Sequence, residues 1–191
     1  MSRKISKFKM PTKSDLKSRT STISNAFTIA ITPYITPSQE EIDKLLQELE
    51  VEEGQCVYCL RKANATDHFR PLVKDGMPNG YISDINNLVP CCSECNSSKG
   101  KKDWDEWYTS PKNIDRLLSF GLSLEQIEQR KLVLERFAKR TEQARIDYAS
   151  LVGEDAWNEF NYRRQELNKR LKTEQEFCDK LRKLIEQNMK K

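Results

Sequence analysis

The chain has 191 residues, 37% of them hydrophobic and 32% charged, enough for one modest core with extensions but not for two large independent domains or a roomy ligand-enclosing interior. Its net charge of +4 is uneven: residues 1–35 hold seven Lys/Arg and a single Asp, leaving the remainder at −2. No run of about 18 apolar residues occurs, and the start lacks the apolar segment of a secretory leader, so a cytoplasmic protein with no membrane partner is expected.

Residues 1–25 are rich in Lys, Ser and Thr without apolar periodicity. They read as a basic flexible arm, whose Arg3, Lys4, Lys7, Lys9, Lys13, Lys17 and Arg19 would be drawn to a polyanion; a merely soluble tail is the alternative. The segment 26–35, apolar and β-branched up to Pro33, predicts a short strand or an extended packing segment. Ser38 and Glu41 have capping-box spacing and Ile42, Leu45, Leu46 and Leu49 form one stripe, which predicts a helix over 39–52 that closes over the region after it. Between Cys56 and Lys102 helical periodicity is weak, and Asp75-Gly76 and Pro78-Asn79-Gly80 signal turns, so loops and a hairpin are expected.

After Trp104 the pattern is helical again. Ser110-Pro111 offers a cap with proline at the first helical position, and Ser123 with Gln126 a second capping box. A first long helix is predicted over 124–152, burying Ile127, Val133, Leu134, Phe137, Ala144 and Tyr148 and stopped by Gly153. A second, over 155–187, carries Trp157, Phe160, Leu167, Leu171, Cys178, Leu181 and Ile185 at helical spacing, a stripe that needs a partner. That partner is a second copy of the chain, another protein, or the first long helix folded back in an antiparallel hairpin.

Six cysteines in a reducing compartment are poor disulfide candidates. Four of them form two pairs, Cys56-Val-Tyr-Cys59 and Cys92-Ser-Glu-Cys95, and four thiolates in two such knuckles suit tetrahedral, structural Zn²⁺. Only Cys92 keeps the two-residue gap to Cys95, which assigns Cys91 to the core; Cys178, mid-helix on an apolar stripe, reads as a small buried hydrophobe. His68, the only histidine, lies between the knuckles directly after Asp67. Alone it would be an ordinary polar residue; its setting changes that.

Read from Cys56 to Gly100, the string is Cys56-x-x-Cys59, Asp67-His68-Phe-Arg-Pro71-Leu, Gly80, Asn87-Leu88-Val-Pro-Cys-Cys92-x-x-Cys95-Asn96-x-x-Lys99-Gly100. This combination resembles the HNH endonuclease family in its HNN-type version, over about a quarter of the chain. The resemblance implies a ββα-metal core: a hairpin whose first strand bears Asp67-His68, a second strand after Asn87, and a helix bearing Asn96. It further implies that His68 activates water while Asp67 and Asn96 hold one Mg²⁺ or Mn²⁺ against the scissile phosphate of double-stranded DNA. An imidazole titrating near neutrality suits a general base, and a carboxylate and an amide oxygen are hard ligands for such an ion. Neighbours on an extended strand point to opposite faces, so the geometry of Asp67 and His68 is the open question. Asn87 reads as a loop fastener, its amide bonding backbone near His68, and Arg70, Lys99, Lys101 and Lys102 as phosphate contacts or an ordinary solvated basic face.

The expected architecture is α+β, mainly helical: a basic arm (1–25), a zinc-stapled nuclease core with flanking strand and helix (26–110), and a long C-terminal helical extension (111–191). The expected activity is metal-dependent hydrolysis of DNA, as in a restriction or phage-defence nuclease. The alternatives are a catalytically silent zinc module that only grips nucleic acid, and a nuclease subunit whose extension recruits a partner supplying specificity.

Overall fold

The computed structural model describes residues 15–189, so the basic arm from Arg3 to Lys13 lies outside the described residues. The rest of the arm is helical: a 3-10 turn at Lys17–Arg19 runs into α1, Thr20–Ile31, where the β-branched residues of 26–35 predict extended chain. Thr28 and Thr32 turn their hydroxyls back onto the carbonyls of Ser24 and Thr28, at 3.2 and 2.8 Å, which satisfies them within the helix. The C-terminal helix packs along α1, with Phe27 edge-on to Phe160 at 5.8 Å. Tertiary packing therefore overrides local propensity, and Pro33 follows the helix end.

Helix α2, Gln39–Glu48, starts from the predicted capping box with both halves formed, and Leu45 and Leu49 enter the core. Strand β1, Ala65–His68, pairs antiparallel with the later strand Leu88–Cys91, placing Asp67 opposite Val89 and His68 opposite Leu88. Between them lies a minimal hairpin, β2 (Val73–Lys74) and β3 (Met77–Pro78). Its turn residues Asp75 and Gly76 have φ of 52° and 74°, the doubly positive pair that an Asp-Gly turn supplies. The strand Leu88–Cys91 is β4, and α3, Ser93–Lys99, follows it directly, completing a ββα unit.

Three helices wall this unit: α4 (Trp104–Tyr108), α5 (Pro111–Ser119) and α6 (Leu124–Arg140). Phe69 stacks on Trp104 at 5.1 Å and meets Phe137 edge-on at 5.0 Å, while Tyr58 meets Trp107 at 4.9 Å. These aromatics, with Leu117 and Leu134, pack around the buried cysteines. Truncating Trp107 or Phe137 to Ala would cost about 3–5 kcal/mol. Pro111 stands at the first turn of α5 as predicted, but the Ser110 hydroxyl caps nothing; it donates back to the Trp107 carbonyl at 2.7 Å.

The helix predicted over 124–152 is two. α6 stops at Arg140, residues 142–144 form a 3-10 turn, and α7 covers Tyr148–Val152. The break exists because Arg145 and Ile146 bond the carbonyls of Asn79 and Gly80, at 3.0 and 2.8 Å, which a continuous helix would forbid. From Gly153, α8 runs unbroken over Glu154–Asn188 and packs on α1 and α7 rather than back along α6. Its predicted stripe is divided. Trp157, Phe160 and Leu171 are half-buried, whereas Leu167, Leu181 and Ile185 are exposed at 40, 44 and 58%. Cys178 is exposed as well, contrary to its reading as a buried hydrophobe. The residues that α8 does bury are Arg164 and Gln175, because the seam with α1 is held by polar contacts such as Asn168 to Ser24 at 3.0 Å. Among the described residues no helix is long and apolar enough to cross a membrane.

Candidate metal centre and catalytic site

The two knuckles meet at the base of the ββα unit. The sulfurs of Cys56, Cys59, Cys92 and Cys95 all lie within 4.8 Å of one another and all four residues are buried. The Cys59 and Cys92 sulfurs are 3.7 Å apart, close to the ~3.8 Å edge of a tetrahedron with Zn–S bonds of ~2.3 Å. Local folding makes the clustering: Cys56 N donates to the Arg61 carbonyl at 2.7 Å to close the first knuckle, and Cys92 is the N-cap of α3, its sulfur accepting from Cys95 N at 3.4 Å. In this cluster hydrogen bonds from the Cys59 and Cys95 thiols pull the Cys56 pKa far down. Those bonds to Cys56 in turn push Cys59 up to about 12 and raise Cys95. Four thiols this close cannot all ionise without a cation among them, so the donor set fits Zn²⁺. Cys91 is buried outside the cluster, and burial, with Asp67 nearby, pushes its thiol up to about 12; it stays a neutral core residue.

On β1 the pleat sends Asp67 and His68 opposite ways. Asp67 points inward, 5% exposed, where its Oδ2 accepts from the Tyr58 hydroxyl at 2.7 Å and pairs with Lys99 Nζ at 2.9 Å. Lys99 also donates to the His68 carbonyl at 2.8 Å, and its side chain is wholly buried. Lys99 is thus an internal strut between α3 and β1, not a surface phosphate contact. Burial and the Asp67 carboxylate keep the Tyr58 phenol well above its ordinary pKa, and hence a proton donor. Asn96 is half-buried on α3, three residues before Lys99 and so on the same helix face.

On the other side of β1, His68 is half-buried and its Nε2 lies 2.7 Å from Ser83 Oγ. Burial lowers its pKa below the ordinary histidine value, with Asp67 opposing and Lys99 reinforcing the shift. Ser83 is itself clamped: its N donates to the Pro33 carbonyl at 3.1 Å and its carbonyl accepts from Ile35 N at 2.9 Å. The linker between α1 and α2 therefore backs the imidazole. Asn87 is fully buried and ties the loop around His68: its Oδ1 accepts from Arg70 N at 2.8 Å, its Nδ2 donates to the Arg70 and Ile82 carbonyls at 3.1 Å, and its carbonyl accepts from Phe69 N at 2.7 Å.

Arg70 is committed inward, donating to Thr141 Oγ1 at 2.6 Å and the Ala138 carbonyl at 2.5 Å, which welds the hairpin to the end of α6. Lys101 and Lys102 are exposed and line a cavity beside α3. Sequence reasoning did not reach Tyr58 or Ser83. Tyr58 is one of two arbitrary residues inside a knuckle, and nothing marks Ser83 as lying opposite His68.

Residues 56–102 match the family model described as HNH endonuclease. The segment from the first knuckle to the loop after α3 is accordingly an HNH endonuclease domain, and the remainder of the chain lies outside the match. No curated protein and no solved structure matches the chain.

Proposed function

We propose that this protein is a metal-dependent endonuclease that hydrolyses phosphodiester bonds of double-stranded DNA, with His68 as general base and Asp67 and Asn96 as the divalent-ion ligands. The observation that carries the reading is the ββα unit itself, with His68 and Asp67 on one strand and Asn96 on the helix packed against it, inside a segment that matches a nuclease family.

The residues divide the work. In the tautomer whose Nε2–H donates to Ser83 Oγ, 2.7 Å away, Nδ1 of His68 carries the lone pair that takes a proton from the attacking water. A base lowered by burial is neutral at physiological pH and so ready for that step. Oδ2 of Asp67 is engaged by Tyr58 and Lys99, which leaves Oδ1 for an ion. Lys99 offsets the carboxylate charge, so the protein alone offers a weak, hard-ligand site, of the kind Mg²⁺ or Mn²⁺ completes with waters and substrate phosphate. When bound, such an ion supplies charge stabilisation to the phosphate and leaving oxygen. Asn87 and Ser83 orient His68, and the four-cysteine zinc site holds β4 and α3 in place.

The exposed distal face of α8 fits a second copy of this chain. Phe177, Leu184 and Ile185 are 57, 54 and 58% exposed. Glu176, Asp179, Lys180, Arg182, Lys183 and Glu186 around them carry both signs, so that two antiparallel copies could pair acid with base across the contact. A twofold pairing would offer one cutter to each DNA strand. A restriction or phage-defence role in the cytoplasm is consistent with this reading.

The test is incubation of the purified protein with plasmid DNA and Mg²⁺ or Mn²⁺. Cleavage that His68→Ala lowers about 10²–10⁴-fold, with zinc content and melting unchanged, is expected. Undiminished cleavage by that variant would overturn the assignment, and DNA binding without cleavage by the wild type would favour the silent zinc module.

A further inference from the structure

Where the helical extension meets the HNH domain, a groove of about 640 Å³ opens between α1, α8, the β2–β3 turn and the loop after α3. Its floor holds Arg164, 8% exposed. This guanidinium has no carboxylate partner among the described residues. It donates to the Gly76 carbonyl at 2.5 Å and reaches the Met77 sulfur at 2.6 Å, and its buried Nε has no hydrogen-bond partner among the described residues. A buried cation without a counter-charge is costly, and an anion arriving in the groove would relieve it. Beside it Ser24 accepts from Asn168 at 3.0 Å, leaving the hydroxyl hydrogen for an acceptor.

The walls add Lys101, Lys102 and Lys172, all exposed and none within ion-pair distance of a carboxylate among the described residues. Asp75, Asp103 and Glu106 also line the groove, but Asp103 is already engaged by Lys74 at 2.9 Å. Cations therefore exceed acids. Two features give the groove a direction. Lys101 and Lys102 directly follow α3, the helix of Asn96. At the other end Leu16 N donates to Gln175 Oε1 at 2.6 Å, one turn beyond Lys172, which ties the first described residues to α8 there.

We propose that this groove is a phosphate-binding track for duplex DNA, in which Arg164 and Lys172 of α8 and Lys101 and Lys102 after α3 hold backbone phosphates leading to the catalytic site. It rests on the nuclease reading for its direction, and on the unpaired buried arginine for its ligand. The helical extension, outside the HNH match, is then part of the substrate platform.

The experiment is fluorescence anisotropy of a labelled 20-base-pair duplex across a salt series, without added divalent ion, on the full-length protein. Lys101→Ala/Lys172→Ala, at exposed positions that should not disturb folding, is expected to weaken binding about tenfold and to flatten the salt slope by about 1.8, at roughly 0.9 per phosphate contact. Arg164→Gln should bind at least tenfold more weakly with zinc content retained, and Lys44→Ala/Lys131→Ala, outside the groove, should bind like wild type. Unchanged affinity and slope in the lysine double variant, or an equal loss in the control pair, would overturn the track. Plasmid cleavage separates the two readings. Cutting by wild type with groove variants unaltered in binding removes the track alone, whereas groove-dependent binding by a protein that cuts nothing keeps the track and removes the nuclease.

Discussion

Replacing Lys99 with Met tests whether the buried ion pair is what holds β1 against α3. Lys99 Nζ is 2.9 Å from Asp67 Oδ2 and 2.8 Å from the His68 carbonyl, with the Lys99 side chain 0% and that of Asp67 6% exposed. In Lys99→Met the methionine fills the same volume, but the carboxylate keeps only the Tyr58 hydroxyl. Removing one member of a buried pair costs about 3–5 kcal/mol, because the other charge is left without compensation. At about 2–4 °C per kcal/mol for a chain of this size, the melting temperature should fall on the order of 6–20 °C. The assay is thermal denaturation followed by circular dichroism at equal zinc content. Asp67→Asn/Lys99→Met should recover more than half of the loss, since no charge remains and the amide can still accept from Tyr58. A Lys99→Met protein within about 1 kcal/mol of wild type, or a double variant no more stable than the single one, would refute the strut.

Cys92→Ser should lose zinc and unfold the domain, whereas Cys91→Ser should keep its zinc and lose only about 1–3 kcal/mol; equal zinc loss, read by atomic absorption, would mean the sulfur cluster is misassigned. With His68 as the proposed base, cleavage would require its neutral form, and burial holds its pKa below the ordinary histidine value of 6.5. Activity should therefore be lost as pH falls below that value and be flat above it, and an acid limb centred at or above about 7 would require another base. Leu181→Glu/Ile185→Glu on the exposed face of α8 should convert a dimer to a monomer in light scattering across a concentration series, with the melting of the HNH domain unchanged. A wild type that is monomeric throughout would remove the second copy.

Much of this molecule was legible in its residues because the signals are local. Capping boxes at Ser38/Glu41 and Ser123/Gln126, the Asp75-Gly76 turn, the Gly153 stop and the two knuckles each depend on a few neighbouring side chains bonding neighbouring backbone, and each forms. The order of knuckle, Asp-His, Asn and Asn-x-x-Lys-Gly likewise anticipated the ββα unit. The failures share one cause, which is contact between residues far apart in sequence. α1 is helical because it lies along α8, 124–152 breaks because the carbonyls of Asn79 and Gly80 capture Arg145 and Ile146, and α8 faces its partner with Arg164 and Gln175 rather than with its leucines.

The same division runs through the site. Sequence alone determined the order of two cysteine pairs, the single histidine and the Asp and Asn residues around it, and the resemblance that order forms nominated them for the chemistry. Only the tertiary structure decided what each side chain faces: Asp67 turned in to Tyr58 and Lys99, His68 turned out to Ser83, Arg70 committed to the end of α6, and Arg164 buried with no carboxylate partner among the described residues. Strand alternation guarantees that adjacent side chains part company, but it takes the packing of a knuckle, a linker and two distant helices around that strand to settle what stands on either side.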